Sequence, residues 1–332
     1  MKILIHKADH LGDFVMALPA LWEVRQKFGK DANLHLLVRG PNVEWQQFLP
    51  WLGTLSPLKH PRYERKQNVP KLSLSARALG EAWGLRDQSF DWGIDLVSTR
   101  NDLLGKWLLW VAGCSQTSGP DGAHSWMLNH AQAEPAAHQT KILASRFPAE
   151  WGISGTASPA EFVPDELRWD SEGGARRPLV IAPFAGTPAK RWLDASWKEL
   201  FKHLQSEGPV HILVPKPDLE RNRDFLSAYP EESLRIVETI QETLQVLLKA
   251  RACIALDTAV AHYAWLTGTP FVQLFARTTE PARWAPVSGG ITLESHPDLS
   301  PSVSEQVLPG YAMDDITVAE VFGALHELEG EV

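Results

Sequence analysis

The chain has 332 residues, 44% of them hydrophobic and 22% charged, which supports sizeable cores and excludes a disordered protein. Its length suits two domains of about 150–170 residues each. A formal net charge of −8 argues against a general nucleic-acid binder, and two cysteines in apolar surroundings, Cys114 and Cys253, read as core residues rather than a disulfide or metal framework.

Met1 to His6 reads as a strand too short for the core of a signal peptide, and no apolar run approaches the ~18 residues of a membrane span. A cytoplasmic protein is the expectation. Fourteen tryptophans are many. Most are expected to be packing residues, and exposed ones would mark a membrane-facing or sugar-facing surface.

In chain order, Lys2–His6 is the first strand and Lys7-Ala8-Asp9-His10-Leu11-Gly12-Asp13 the turn after it. Val15, Leu18, Leu21, Val24 and Phe28 make one apolar stripe on the following helix, which Gly29 stops. Leu34–Val38 is a second strand and Val43–Leu52 a short helix, so the chain opens as β-loop-α-β on a parallel sheet. Residues 59–71 then carry five Lys or Arg among thirteen, with two prolines. A solvated loop is one reading; the other is a cationic clamp for an anionic acceptor, through Arg62, Arg65, Lys66 and Lys71. Leu74–Leu85 reads as a helix, Trp92–Val97 as a strand, Asn101–Ala112 as a strongly apolar helix and His138–Phe147 as another helix. Periodicity is lost over Pro148–Pro178, which places the boundary near residues 165–178 and gives domains 1–170 and 171–332.

The second half restarts the pattern. Strand Leu179–Pro183 leads into the polar turn Ala185–Arg191, helix Ser196–Glu207, strand Val210–Pro215, helix Leu219–Ser227, strand Leu234–Val237 and helix Leu244–Ala250. Cys253–Leu256 is a buried strand, Asp257-Thr258 opens a helix carrying Val260, Tyr263, Ala264 and Leu266, Gly268 ends it, and Phe271–Phe275 is the next strand. Val318–Leu328 is a final amphipathic helix, placed either on the second domain or back on the first. Two successive βα arrays imply an α/β fold of two doubly wound domains facing across a cleft.

Three polar turns follow predicted strands: Asp9/His10/Asp13, Thr187/Lys190 and Asp257/Thr258/His262. Neither half contains G-x-G-x-x-G or a Walker phosphate loop, which argues against a hydride-transferring dinucleotide enzyme and a P-loop kinase. Asp13, after Gly12 at a helix start, fits a helix cap and also a general base for an acceptor hydroxyl; the two roles coexist. A second functional carboxylate and a turn-forming aspartate fit Asp9 equally. His10 reads as a loop residue, since no metal-ligand spacing supports it. Lys190 and the Thr187 hydroxyl suit a phosphate contact. Asp257 and Thr258 again allow a capping role, and His262 fits a packed helix position as well as a ligand contact.

These motifs resemble those of the family-9 glycosyltransferases, the ADP-heptose:lipopolysaccharide heptosyltransferases of the GT-B fold. The first is Lys7 to Asp13 with Leu18-Pro19-Ala20-Leu21. The second is Gly186-Thr187-Pro188-Ala189-Lys190-Arg191-Trp192 with Trp197 and Leu200. The third runs from Asp257-Thr258-Ala259-Val260-Ala261-His262 through Gly268-Thr269-Pro270, Leu274-Phe275, Thr278 and Pro281 to Arg283-Trp284-Ala285-Pro286. The resemblance implies inverting, metal-independent transfer of heptose from ADP-heptose to an anionic glycolipid or glycan acceptor. The N-terminal domain would bind acceptor and the C-terminal domain the nucleotide sugar, with no cofactor beyond that donor. It also implies roles: Asp13 the base; Thr187, Lys190, Thr258 and Ala259 at the diphosphate; Asp257 on the heptose hydroxyls; His262 organising that turn; and Glu220 on the ribose. Asp9, His10, Arg62, Arg65 and Lys66 are the acceptor-side candidates. A lipid-linked acceptor implies peripheral association with the cytoplasmic face of the inner membrane. Departures are Ala259 in place of the family's usual Gly, Ala276-Arg277 for Gly-Pro, and Leu193 for Pro; they bear on donor choice. Other readings are a different nucleotide-sugar donor, a GT-B-like epimerase, or a catalytically idle nucleotide-sugar-binding homologue.

Overall fold

The computed structural model describes residues 1–58, 71–98, 102–172, 174–276, 279–295, 313 and 315–331. The chain forms two compact units, Met1–Phe162 and Val163–Val332, each with its own six-stranded sheet. The expectation of two doubly wound α/β domains is met.

In unit 1, β1 (Lys2–Lys7) is followed by α1 (Leu11–Val15) and α2 (Leu18–Phe28). The single helix expected across this segment is split in two. Pro19 stands in the first turn of α2, where its missing N–H costs nothing, whereas inside a continuous helix it would remove a bond and clash. β2 (Asn33–Val38) leads through α3 (Trp45–Phe48) to β3 (Thr54–Pro57). The short helix expected over 43–52 is likewise divided, with α3 flanked by 3₁₀ turns and Pro50 opening the second of them. α4 (Lys71–Trp83), β4 (Trp92–Asp95), α5 (Leu103–Val111), β5 (Gln116–Pro120), β6 (His130–Gln132), α6 (Gln139–Ala144) and α7 (Pro159–Phe162) complete the unit. The strand order is β3-β2-β1-β4-β5-β6, with every pairing parallel.

In unit 2, β7 (Leu179–Ala182), α8 (Asp194–Gln205), β8 (Val210–Pro215), α9 (Lys216–Leu219), α10 (Arg223–Leu226), β9 (Leu234–Val237), α11 (Ile240–Leu248), β10 (Cys253–Leu256), α12 (Ala259–Thr267), β11 (Phe271–Phe275), α13 (Pro281–Trp284) and β12 (Gly290–Glu294) precede the last helix, α14 (Val318–Glu331). The sheet order β12-β11-β10-β7-β8-β9 repeats the topology of unit 1, again with parallel pairings. The units divide upstream of the expected 170/171 boundary. The irregular segment after Phe162 is tied to unit 2 by Trp169, whose backbone N–H donates to Thr267 O at 2.7 Å and whose indole donates to Ala250 O at 2.7 Å.

The unit 2 core gathers Trp192, Trp197, Leu200, Leu204, Ile254 and Leu256 with Val321, Leu325 and Leu328 of α14. The final helix therefore packs on the second sheet. Thr317 caps it, bonding reciprocally with Glu320. In unit 1, α4 and α5 share a core of Ala78, Ala82, Leu108, Leu109 and Ala112. Trp45, Trp192 and Trp197 are fully buried, whereas Trp83, Trp107, Trp110 and Trp126 are exposed. Both cysteines are free thiols whose pKa burial pushes up to about 12; Cys253 is a core residue and Cys114 is half-buried against the unit 1 core. Among the described residues no helix is long and apolar enough to cross a membrane.

Candidate active site

In each sheet the chain starts in the middle and later returns on the other side of its first strand. The neighbours β1 and β4 in unit 1, and β7 and β10 in unit 2, are therefore where successive connections diverge. Ligands of open parallel sheets bind at the carboxyl ends of such strands.

In unit 2 the loop after β7 runs through exposed Gly186 and Thr187 into a 3₁₀ turn, Pro188–Lys190. The Lys190 ammonium crosses to the next strand and donates to Asp257 Oδ2 at 2.5 Å. Asp257 is buried, and the Lys190 side chain is 30% exposed. Thr258 is the N-cap of α12 but its side chain makes no capping bond, and its buried hydroxyl has no partner among the described residues. The first amides of α12 are orphan donors at the positive end of a nine-residue helix. Ammonium, hydroxyl and amides together suit a polyanion. Ala259 begins the helix, half-buried, while His262 is buried one turn further in. Gly268 ends α12 with φ +77°, a left-handed cap that favours glycine. Glu220 lies past α9, largely exposed, with its carboxylate on Arg223 at 2.8 and 3.0 Å.

In unit 1 the half-buried Asp13 sits in the first turn of α1 and accepts the His10 backbone N–H at 3.3 Å, so the capping expectation holds. His10 is exposed. Asp9, the carboxylate of the acceptor-side set, takes part in the turn itself. Its carboxylate is buried and accepts from Lys7 Nζ at 2.8 Å and from the Ser98 amide and hydroxyl at 2.9 Å each. Through Oδ2 it ties the ends of β1 and β4 together, as a turn-forming aspartate does, while Oδ1 is buried with no hydrogen-bond partner among the described residues. Arg62, Arg65 and Lys66, with the rest of residues 59–70, and Arg277 and Thr278 lie outside the described residues, and Lys71 begins α4.

Directly beneath this turn is a charged cluster that sequence reading missed. His6 Nδ1 lies 3.1 Å from Asp95 Oδ1, and Lys106 Nζ lies 3.4 Å from Asp95 Oδ2 and 3.4 Å from Asp102 O. Burial pulls the His6 pKa down, but the hydrogen bond and charge of Asp95, with Asp102 and Asp9 behind it, overcome this and leave it raised. Gly105 permits the approach: a Cβ there would stand 2.4 Å from His6 Nδ1 and 2.8 Å from Asp95 Oδ1. The only trace in the sequence is one lysine within an otherwise apolar helix.

The sequence pattern of Glycosyltransferase family 9 (heptosyltransferase) matches residues 82–307. The chain belongs to this family. It is a glycosyltransferase, 23% identical over 296 residues to lipopolysaccharide heptosyltransferase 1 of Pseudomonas aeruginosa, covering 84% of this chain and 79% of that one. The fold matches that of E. coli heptosyltransferase WaaC with ADP at a TM-score of 0.75 and 16% identity, over 99% of this chain and 100% of that one. It also matches TibC, an iron-containing dodecameric glycosyltransferase of enterotoxigenic E. coli, at a TM-score of 0.58 and 15% identity, over 99% of this chain and 78% of that one.

In this family-9 glycosyltransferase the one metal-like grouping among the described residues is His6, Asp95 and Asp102, whose ligand atoms lie within 4.8 Å of one another. The Lys106 ammonium already supplies a cation there. The cluster therefore works as a buried ion-pair network under the Asp9–Asp13 turn.

Proposed function

We propose that this glycosyltransferase moves heptose from ADP-heptose to a hydroxyl of a lipopolysaccharide-core or related glycan acceptor, with inversion at the anomeric carbon. The observation that carries the reading is the Lys190–Asp257 bridge at the amino end of α12. Donor binding would draw the ammonium from Asp257 to the diphosphate. Asp257 would then be left to accept from sugar hydroxyls.

In the transfer, the Asp13 carboxylate takes the acceptor hydroxyl proton. The oxygen lone pair forms the new bond to the anomeric carbon as the carbon–oxygen bond to the diphosphate breaks, and that electron pair leaves on ADP. Lys190, the Thr187 and Thr258 hydroxyls and the α12 amides meet the growing negative charge, so no metal is required to carry it. Glu220 turns from Arg223 to the ribose hydroxyls, and His262 holds the first turn of α12 in place. The relatives support this reading: one is named a lipopolysaccharide heptosyltransferase, and WaaC was solved with ADP. A cytoplasmic location follows from a nucleotide-sugar donor.

Ala259 favours weighing a second donor, because its methyl stands at the helix start where the diphosphate would lie. A product assay offering ADP-heptose, ADP-glucose and UDP-sugars with a heptose-deficient core acceptor decides between them. Transfer from ADP-heptose is expected; preferential turnover of a UDP-sugar overturns the donor assignment.

A further inference from the structure

α5 is built inside out. In Leu103-Leu104-Gly105-Lys106-Trp107-Leu108-Leu109-Trp110-Val111 the only charged residue, Lys106, is buried against Asp95, while Leu103, Trp107 and Trp110 face outward. They fall at i, i+4 and i+7, one stripe along the helix. Trp107 is 42% exposed and Trp110 66%. A helix apolar on every face is ordinarily enclosed by protein; here the inner face is closed by the α4 core and the outer one is left open by the described residues. Exposed Trp83 extends the patch from α4, and exposed Trp126 lies in the short turn that packs beside α5.

We propose that this face seats unit 1 on a phospholipid bilayer surface, and the inference rests on the lipid-linked acceptor of the preceding section. Three observations select lipid over other occupants. The outward large side chains are mostly indoles, whose apolar body and single N–H donor suit the wet boundary of a bilayer. The exposed Arg86 guanidinium stacks over Trp83 at 5.0 Å and donates to Val111 O at 3.3 Å, placing a cation at the rim where headgroup phosphates would lie. The amino-terminal end of the patch also lies at the sheet edge that carries the proposed base, with Trp110, Trp83 and Arg86 toward the opposite edge. α5 starts just beyond the carboxyl end of β4, and Ser98 in that same connection is bonded to Asp9 of the turn that carries Asp13. With nine residues, α5 rises about 13 Å, far short of a span, so it lies in the interface plane. A second copy of the chain would have to find fixed acceptors for these indole N–H groups, which interfacial water and headgroups supply in any rotation.

The test is co-sedimentation of the full chain with vesicles of phosphatidylethanolamine containing a minor fraction of phosphatidylglycerol, without donor or acceptor. Wild type is expected to pellet with the vesicles. Trp107→Gln/Trp110→Gln is expected to partition at least about tenfold less well, with lost quenching by brominated acyl chains. Wild-type protein remaining in the supernatant overturns the proposal, as does a double variant that partitions like wild type. A concentration-dependent dimer that the double substitution dissolves, without vesicle binding, assigns the face to a second copy and also overturns it. Transfer to a soluble, delipidated acceptor is expected to survive the double substitution, so failure of membrane docking and failure of the transferase reading are separable.

Discussion

In unit 1 the strands that part at the switch point are tied by Asp9, buried and bonded to Lys7 and to both donors of Ser98. In unit 2 the corresponding strands are tied by Lys190 and Asp257, and the lysine is partly open to water with this carboxylate as its partner. The topology is the same and the chemistry at its centre is not. Breaking a fully buried lysine–carboxylate pair costs about 3–5 kcal/mol, and a pair whose lysine is open to water, as Lys190 is while Asp257 stays buried, is screened by solvent and costs less. The first arrangement is scaffold for a turn; the second is a contact that an incoming polyanion can displace. The proposed transfer uses this contrast, with the base on the turn held by Asp9 and the diphosphate at the Lys190–Asp257 pair.

The largest expected effect on activity comes from Asp13→Ala. Removing a general base lowers turnover by about 10²–10⁴-fold, and ADP affinity measured by calorimetry is expected to stay near wild type. Loss of ADP affinity would instead move Asp13 into the donor site.

Next is the scaffold. Asp95→Ala leaves His6 and Lys106 buried without their shared carboxylate, and a loss of about 3–5 kcal/mol in urea unfolding is expected. A loss near zero would show that the cluster is not holding the turn. The His6 pKa is raised on folding from its ordinary 6.5, so its contribution is complete below that value and fades as pH rises through the raised one. Unfolding titrations should show this decline in wild type and not in a variant lacking Asp95. A decline on the acid side alone would contradict the direction of the shift.

The smallest effect is expected from Glu220→Ala. Its exposed bond to Arg223 adds little stability. An unchanged melting temperature with about threefold to tenfold weaker ADP binding is expected, set by one lost ribose hydrogen bond. Equal affinities would remove Glu220 from the site.

Four strands of unit 2 were legible in the sequence to the residue. Val210–Pro215, Leu234–Val237, Cys253–Leu256 and Phe271–Phe275 are expected and found with the same bounds, because each is a short, mainly apolar run with at most one polar residue, set between turn residues. The strands β3 (TLSP), β5 (QTSGP), β6 (HAQ) and β12 (GITLE) were not legible. They are short, and most are polar or interrupted by Pro or Gly, so their pairing comes from neighbours already in place. The turns carrying Asp13, Lys190 and Asp257 were legible because a βα unit puts its first polar residues at the carboxyl edge of the sheet. What spacing alone leaves open is whether a carboxylate there faces inward, as the buried Asp9 does, or stays half-open, as Asp13 does. The His6–Asp95 pair joins residues 89 apart in sequence and leaves no local pattern to read. Lys106, alone among leucines and tryptophans, is the trace of that pair, and its inward turn is also what puts Trp107 and Trp110 outside.

The most direct test of the division between scaffold and donor grip is calorimetric titration of ADP into wild type and Lys190→Ala. Losing a charge-assisted contact to the diphosphate is worth about 1.5–3 kcal/mol, so a dissociation constant raised by roughly tenfold to a hundredfold is expected, measured below the melting temperature of the variant, whose buried Asp257 has lost its partner. An unchanged dissociation constant would mean that Lys190 serves only Asp257, and the assignment of the diphosphate to this switch point would be contradicted.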